Sequence, residues 1–300
     1  MNIFQRKKVI IIAGPTAVGK TSIAISLAKQ FQTEIISADS RQCFKELNIG
    51  VARPTVEELQ QVKHHFIASH SINEEITAAG FEQFALQNVK KLFEKHDVVI
   101  MVGGTGLYMK AFCEGLDEIP AIDSGIREKI IEAYDKNGLD WLQSEIENKD
   151  PEFYKTGEIK NPHRMMRALE VKEATGKSIL EFRNNKKANR SFDCIKIGLE
   201  LPKEELHNNI NERVDRMIAT GLEEEVRGMT DFKHLNALQT VGYKEIFEFL
   251  KGEISLAQAI EEIKKNTRHY AKRQMTWFKK DKEFEWFHPG DIEKIIQTVS

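Results

Sequence analysis

The sequence predicts an α/β fold in which a parallel β-sheet flanked by helices is interrupted by an all-helical insertion. Strand and helix signals alternate over the first third of the 300 residues, which is typical of parallel sheets with helices on both faces. Charged sequence with helical periodicity replaces this alternation from about residue 116 to residue 189. Strand character returns at residues 194–201, so we assign residues 1–115 and 194–300 to the core and residues 116–193 to the insertion.

The elements of the core follow from runs of apolar residues and from the residues that bound them. The β-branched run at residues 9–13 predicts a buried strand, and a helix that ends near residue 30 follows it. The same patterns predict further strands at residues 34–37, 98–102 and 194–201, and helices at residues 81–93, 203–217, 243–250 and 255–278. Gly138, Pro151, Gly157 and Pro162 divide the insertion into several helices.

Composition restricts the partners and the compartment. Hydrophobic residues make up 41% of the chain, enough for a sizeable core, and the formal net charge is only −2. Because there is no global basic excess, nucleic-acid binding would depend on local patches. Cys43, Cys113 and Cys194 are far apart in sequence without a CxxC pair, which predicts reduced thiols. No apolar run is long enough to cross a membrane, so we expect a cytoplasmic monomer without a membrane partner.

Residues 14–21 match the phosphate-binding pattern GxxxxGK[ST] between the first strand and the first helix. They are Gly14, Pro15, Thr16, Ala17, Val18, Gly19, Lys20 and Thr21. Glycines let several backbone N–H groups point at one anion, and the helix N-terminus adds partial positive charge. Lys20 adds a full charge and the Thr21 hydroxyl can bind Mg²⁺, so we predict a P-loop with Mg²⁺ as cofactor. The pattern does not identify the phosphate compound.

Asp39 directly follows the second predicted strand, in the segment Asp39, Ser40, Arg41 and Gln42. The carboxyl ends of strands in open α/β sheets face the ligand crevice, so Asp39 should lie beside the P-loop. Its carboxylate can bind Mg²⁺ there or accept a proton. The alternative is that Asp39 and Ser40 only cap a turn.

The third strand ends in Gly103, Gly104, Thr105 and Gly106. Nucleotide hydrolases and kinases often carry an acidic Mg²⁺-binding residue at such a strand end, whereas this chain has glycines and a hydroxyl group. Because glycine has no side chain, we predict that another group approaches this backbone closely. The alternative is an ordinary glycine-rich turn into a helix.

Two segments are locally basic. Residues 160–187 contain eight Lys or Arg against three acidic residues, and residues 268–282 contain six against one, interleaved with Tyr270, Trp277 and Phe278. Basic side chains with aromatic platforms favour binding of a single-stranded or looped nucleic acid. The alternatives are a solvated helix face for the charges and a core position for the aromatic residues.

Taken together, these segments resemble the tRNA dimethylallyltransferase (tRNA isopentenyltransferase) family. The matching stretches are residues 14–21, 37–42, 50–54, 64–65, 103–108, 163–170, 175–178, 221–226, 242–245 and 267–277. They cover nearly the whole chain in collinear order, and the combination is far more specific than the P-loop alone. The chain departs from the family pattern at Cys43, Phe44, Val51 and Ala68.

The resemblance implies a reaction and an architecture. A dimethylallyl group would pass from dimethylallyl diphosphate to N6 of adenosine 37, beside the anticodon of tRNAs that read codons beginning with U. The fold would be a P-loop NTPase-like core with an inserted helical domain that binds the tRNA anticodon stem-loop.

Carried over residue by residue, the resemblance also assigns roles. Asp39 would be the general base and would contact the target adenosine together with Ser40, Arg41 and Gln42. Residues 16–21 would hold the diphosphate with help from Arg213. Contacts to tRNA are implied for Thr105, Arg127, His163, Arg164, Met165, Met166 and Arg167. We group Asp39, Lys20 and Thr105 as the catalytic set.

Three other functions are weighed against this one. A small-molecule kinase would use the same P-loop for ATP, but the missing strand-end acid disfavours it. An adenylate isopentenyltransferase would share the core without needing the helical insertion. A non-enzymatic RNA-binding protein would explain the basic segments but not the P-loop or Asp39.

Overall fold

A parallel sheet organises the structure, which is a computed structural model describing residues 6–184 and 186–300. Residues 1–5 of the predicted core lie outside the described residues. Within the described part the strands are β1 (Lys8–Ala13), β2 (Ile35–Ala38), β3 (His64–His65), β4 (Val98–Gly103), β5 (Asp193–Leu199) and β6 (Phe284–Phe287). Their order is β3-β2-β4-β1-β5-β6 and every neighbouring pair is parallel. The predicted α/β fold is therefore confirmed.

Helices connect these strands. In chain order they are α1 (Lys20–Gln30), α2 (Val56–Gln61), α3 (Ala78–Leu92), α4 (Gly106–Glu114), α5 (Ser124–Lys149), α6 (Pro151–Thr156), α7 (Pro162–Thr175), α8 (Lys203–Ala219), α9 (Leu222–Arg227), α10 (Tyr243–Leu250), α11 (Leu256–Phe278) and α12 (Ile292–Val299). Gly138 interrupts α5 with a positive φ of 78°, so the predicted break lies inside this element.

The sheet is buried on both faces, which explains the unbroken apolar runs of its central strands. Ile10 and Ile12 of β1 pack into one layer with α1. Val9 and Ile11 pack into the opposite layer with α3 and α4. Because all strands run in the same direction, the segments that follow β1, β2 and β4 meet at one edge of the sheet.

The chain forms two compact units. One unit contains the chain up to Cys113 together with Asn189–Ser300, and the other is Glu114–Ala188. From the sequence alone the insertion was placed at residues 116–193, whereas β5 begins at Asp193 within the first unit. The binding role predicted for the helical unit stays a prediction.

The helical unit has an apolar core of its own between α5 and α7. Leu142 and Ile146 of α5 are fully buried against the buried Leu169 of α7. Met165 and Met166, for which the family resemblance implies tRNA contact, lie in the same core. They stabilise this unit, and the tRNA contact implied for them stays a prediction.

Several of the described elements, among them β3, β6, α2, α9 and α12, were not predicted from the sequence. β3 has two residues and β6 has four, so neither carries enough alternation to be recognised. β6 nevertheless extends the sheet by pairing with β5, and α12 follows it.

Candidate active site

A cavity of about 1020 Å³ opens at the carboxyl edge of the sheet in the first unit. Its walls come from the P-loop, the ends of β2 and β4, the segment 48–59, α8 and α11. This is the place where open parallel sheets bind ligands, because the loops after neighbouring strands diverge there. Most of the predicted site residues of the core line this cavity, whereas Gly14, Pro15, Val18, Ser40 and Thr105 do not.

The P-loop conformation depends on its glycines. Gly14 has a φ of 152°, and a Cβ at this position would lie 2.6 Å from the carbonyl oxygen of Leu199. Gly19 has a φ of 94° and is the N-cap of α1 without a side-chain cap. The first backbone N–H groups of α1 are therefore left to bind an anion, as the sequence pattern indicates.

Lys20 folds back onto the loop that precedes it. Its ammonium donates hydrogen bonds to the carbonyl oxygens of Gly14 at 3.1 Å and of Pro15 at 2.6 Å. Desolvation by burial and, to a lesser extent, the positive charge of Arg213 lower the pKa of Lys20 to about 7, with Asp39 partly opposing the shift. A bound diphosphate would stabilise the protonated form, so anion binding is linked to proton uptake by this side chain.

We expect the affinity for inorganic diphosphate to fall as the pH rises above about 7. Below that pH Lys20 is already protonated, whereas above it each binding event must take up a proton, which weakens binding by up to about tenfold per pH unit. Titration calorimetry in buffers of different ionisation enthalpy measures both the dissociation constant and the proton uptake. The Lys20→Arg variant, which stays charged, corrects for titration of diphosphate itself, and an identical pH slope in this variant would contradict the assignment.

Arg213 reaches the P-loop from α8. Its guanidinium donates a hydrogen bond to the Thr16 hydroxyl at 3.1 Å, and both residues line the cavity. Thr21 lines the same cavity as Lys20. The structure thus brings the residues predicted to hold a diphosphate to one end of the cavity.

Asp39 lies in the turn after β2 and also lines the cavity. Its Oδ1 accepts hydrogen bonds from the backbone N–H groups of Arg41 at 2.8 Å and Gln42 at 3.1 Å. Its Oδ2 takes part in none of the hydrogen bonds found among the described residues. One carboxylate oxygen thus caps the turn, as the structural alternative expects, and this holds the carboxylate in a fixed orientation near Lys20.

Thr105 supports the same turn from the end of β4. Its Oγ1 accepts a hydrogen bond from the Ser40 backbone N–H at 3.0 Å and donates one to Ser40 Oγ at 3.3 Å. Its own N–H donates to the carbonyl oxygen of Ala38 at 3.2 Å. Thr105 therefore fixes the residue next to Asp39.

Comparison with known proteins identifies the family of this chain. The sequence model described as IPP transferase matches residues 42–281. The chain belongs to the IPP transferase family. A protein of Christiangramia forsetii named tRNA dimethylallyltransferase is 52% identical over 287 residues, covering 96% of this chain and 95% of the relative. A protein of the same name from Cytophaga hutchinsonii is 49% identical over 296 residues, covering 99% of this chain and 97% of the relative.

Solved structures agree with this assignment to the IPP transferase family. The tRNA isopentenylpyrophosphate transferase of Bacillus halodurans superposes with a TM-score of 0.72 at 32% identity, covering 98% of this chain and 96% of that chain. A eukaryotic dimethylallyltransferase solved while acting on tRNA gives a TM-score of 0.75 at 28% identity, covering 90% of this chain and 69% of that chain.

Among the described helices, none combines the length and apolar character needed to cross a membrane.

The glycines at the end of β4 and directly after it are closely approached in this IPP transferase, as predicted. A Cβ on Gly103 would lie 2.1 Å from the carbonyl oxygen of Ala38 in the neighbouring strand. A Cβ on Gly104 would lie 2.2 Å from Nε2 of Gln274, and one on Gly106 would lie 2.1 Å from the Trp277 ring. The approaching groups are therefore the end of β2 and the side chains of α11.

The cavity wall at residues 48–53 is held by a carboxylate to which sequence reasoning gave no role. Glu225 accepts hydrogen bonds from the backbone N–H groups of Asn48, Ile49 and Gly50 at 3.1, 2.7 and 3.1 Å. The Tyr243 hydroxyl also donates to Glu225, at 2.5 Å. The only sequence signal was the presence of these residues in the stretches that match the family.

Gln42 supports the same wall rather than projecting as an unpaired group. Its Nε2 donates hydrogen bonds to the carbonyl oxygens of Val51 at 3.2 Å and Ala52 at 2.9 Å. Arg41 donates to Oδ1 of Asn236 at 3.4 Å. Both residues line the cavity, so the contact to the target adenosine implied for them stays a prediction.

The remaining predicted tRNA contacts lie in the helical unit. The side chains of Arg127 and Arg167 are about half exposed, and both pair with the buried Glu170, at 3.7 Å and 3.1 Å. Arg164 is exposed beside Glu158, with which it forms an ion pair, and His163 is exposed at the start of α7. These four side chains stand on α5 and α7, whose shared core fixes their positions within the unit.

Proposed function

We propose that the protein transfers a dimethylallyl group from dimethylallyl diphosphate to N6 of adenosine 37 in tRNAs that read codons beginning with U. One observation carries the proposal: a single cavity holds a cationic phosphate cradle and a carboxylate that lies near Lys20. Family membership and the names of the relatives support the same reaction. We place this reaction in the cytoplasm and expect a monomer.

The reaction requires catalysis both at the attacking adenine amine and at the leaving diphosphate. The exocyclic amine of adenine is a poor nucleophile because its lone pair is delocalised into the ring. As N6 forms its bond to C1 of the allyl group, the Asp39 carboxylate accepts the N6 proton. The bond from C1 to the diphosphate oxygen breaks, and Lys20, Arg213 and the P-loop N–H groups stabilise the leaving diphosphate.

The residues also fit Mg²⁺. Oxygen ligands suit this ion, and both the Thr21 hydroxyl and the Asp39 carboxylate line the cavity beside the cradle. When bound, Mg²⁺ would neutralise part of the diphosphate charge. Proton acceptance and metal binding by Asp39 remain two alternatives that experiment can separate.

The helical unit supplies the basic residues that we assign to the anticodon stem-loop. Adenosine 37 is stacked in that loop and must be extruded to reach the cavity, which costs a few kcal/mol of unstacking. Contacts between basic side chains and phosphates can offset this cost. Arg127, Arg164 and Arg167 each pair with a carboxylate, yet their side chains stay about half exposed. We therefore assign the phosphate contacts to these three arginines.

The decisive test is mass analysis of tRNA nucleosides after incubation with the protein, dimethylallyl diphosphate and Mg²⁺. N6-(dimethylallyl)adenosine should appear, and tRNA in which adenosine 37 is replaced by guanosine should stay unmodified. Transfer of label from ATP to a small molecule, without any modified adenosine, would contradict the proposal and favour a kinase.

Replacing Arg164 and Arg167 together by alanine should weaken tRNA binding and flatten its salt dependence by about two units of slope. The reason is that each lost phosphate contact releases about one counterion fewer. The control is Arg227→Ala with Lys251→Ala, two exposed cations of the first unit that also form ion pairs. Fluorescence titrations with an anticodon stem-loop at several salt concentrations give the slopes. An unchanged slope in the test variant would reassign both arginines to the protein surface.

A further inference from the structure

Gln274 is a buried polar side chain that the proposed mechanism does not use. It lies on α11, is only 7% exposed, and lines the cavity. Its Oε1 accepts a hydrogen bond from the Thr16 backbone N–H at 2.8 Å, and its Nε2 donates one to the carbonyl oxygen of Gly104 at 2.9 Å. Both ends of the amide are therefore engaged, and they join two loops of the site.

One end of this bridge leads to the diphosphate cradle. The Thr16 backbone is held by Gln274, while the Thr16 hydroxyl accepts the hydrogen bond from Arg213. Lys20 lies in the same loop and bonds to its carbonyl groups. The position of the cradle relative to the sheet therefore depends in part on Gln274.

The other end leads to the turn that carries Asp39. Gly104 precedes Thr105, and the Thr105 hydroxyl accepts the hydrogen bond from the Ser40 N–H next to Asp39. The bridge fits only because Gly104 has no side chain, since a Cβ there would lie 2.2 Å from Gln274 Nε2. Hydrogen bonds, together with the peptide link between Gly104 and Thr105, thus connect the cradle to the turn of the carboxylate.

We propose that Gln274 is a positioning residue that fixes the spacing between the leaving-group cradle and the Asp39 carboxylate. This inference rests on the proposed function, because transfer requires N6 and C1 to meet at about 3 to 3.5 Å while the base and the cradle act on opposite sides. Gln274 acts through Thr16 and Gly104 rather than through the reacting atoms.

Two substitutions test whether Gln274 acts through its hydrogen bonds or only by filling space. Gln274→Met keeps the length of the side chain but loses both hydrogen bonds, so kcat should fall about 10- to 100-fold while KM values change less than about threefold. Gln274→Glu can accept from Thr16 when ionised but cannot donate to Gly104, whereas its protonated form can do both. Its rate relative to the wild type should therefore rise as the pH is lowered. The control is Gln87→Met, an exposed glutamine on α3 outside the cavity.

A measurement that does not depend on dimethylallyl transfer tests the role of Gln274 separately from the proposed function. Inorganic diphosphate is added to the full-length protein and amide hydrogen exchange is followed by mass spectrometry. In the wild type, diphosphate should protect residues 14–21 and also residues 103–108, and in Gln274→Met it should protect only the first segment. If the coupled protection occurs but the wild type modifies no tRNA, the proposed function fails and the bridge stands.

Either of two results would overturn the inference. One is a Gln274→Met enzyme with wild-type kcat, and the other is diphosphate protection of residues 103–108 that persists in this variant. If Gln274→Met does not fold, Gln274→Glu decides, because an activity ratio to wild type that stays flat between about pH 6 and pH 8 also overturns it.

Discussion

Replacement of Asp39 by asparagine should lower the single-turnover transfer rate by about 10²- to 10⁴-fold, the usual cost of losing a general base. The turn should survive, because the amide oxygen of asparagine can still accept the hydrogen bonds that Oδ1 receives from Arg41 and Gln42. The variant therefore removes the charge and the base without removing the cap. Binding of tRNA should change little, and thermal unfolding of the variant should match the wild type.

A Mg²⁺ titration of the same variant separates the two roles of Asp39. If the carboxylate holds Mg²⁺, activity should recover in part at high Mg²⁺, whereas loss of a proton acceptor is not rescued by metal. Asp97→Asn is the matched control, since Asp97 is an exposed carboxylate paired with Lys7. A near wild-type rate of Asp39→Asn at ordinary Mg²⁺ would rule out both roles and leave Asp39 as a turn residue.

Lys20→Ala should reduce transfer by about 10²- to 10³-fold, comparable to removing one preorganised donor from a site of developing negative charge. The cradle would lose the group that neutralises the leaving diphosphate, although Arg213 would remain. Affinity for the anticodon stem-loop should stay nearly intact, because Lys20 bonds within the P-loop and not to a segment that we assign to tRNA.

Transfer rates and gel-shift affinities measured on the same preparations test this separation. Lys29→Ala is the control, because Lys29 is an exposed lysine on the same helix whose ammonium bonds to Gln61. A parallel loss of tRNA binding in Lys20→Ala would mean that the cradle is not a separate site for the donor.

The two interpretations of Asp39 that the sequence left open are compatible in the structure. Oδ1 caps the turn, which uses one lone-pair side of the carboxylate and restricts its rotation. A base or metal ligand benefits from such restriction, because no side-chain entropy is lost on reaction. The cap is thus a means of holding the carboxylate rather than a rival to its chemistry.

The sequence by itself determined the parallel sheet, the P-loop and the close approach at Gly104. Each of these depends on a local pattern: β-branched runs predict buried parallel strands, glycines at fixed spacing predict a phosphate cradle, and consecutive glycines predict contact with the backbone. The family resemblance rested on the same stretches, and the comparisons confirmed it.

Only the tertiary structure decided which groups meet. Gln274 bonds to a carbonyl 170 residues away in the chain, and Glu225 holds amides at least 175 residues away. Neither residue carries a spacing or periodicity that could reveal its partner, because such contacts are set by how α9 and α11 pack on the sheet. Met165 and Met166 likewise match a family segment, yet burial between helices, which depends on the partner helix, places them in a core.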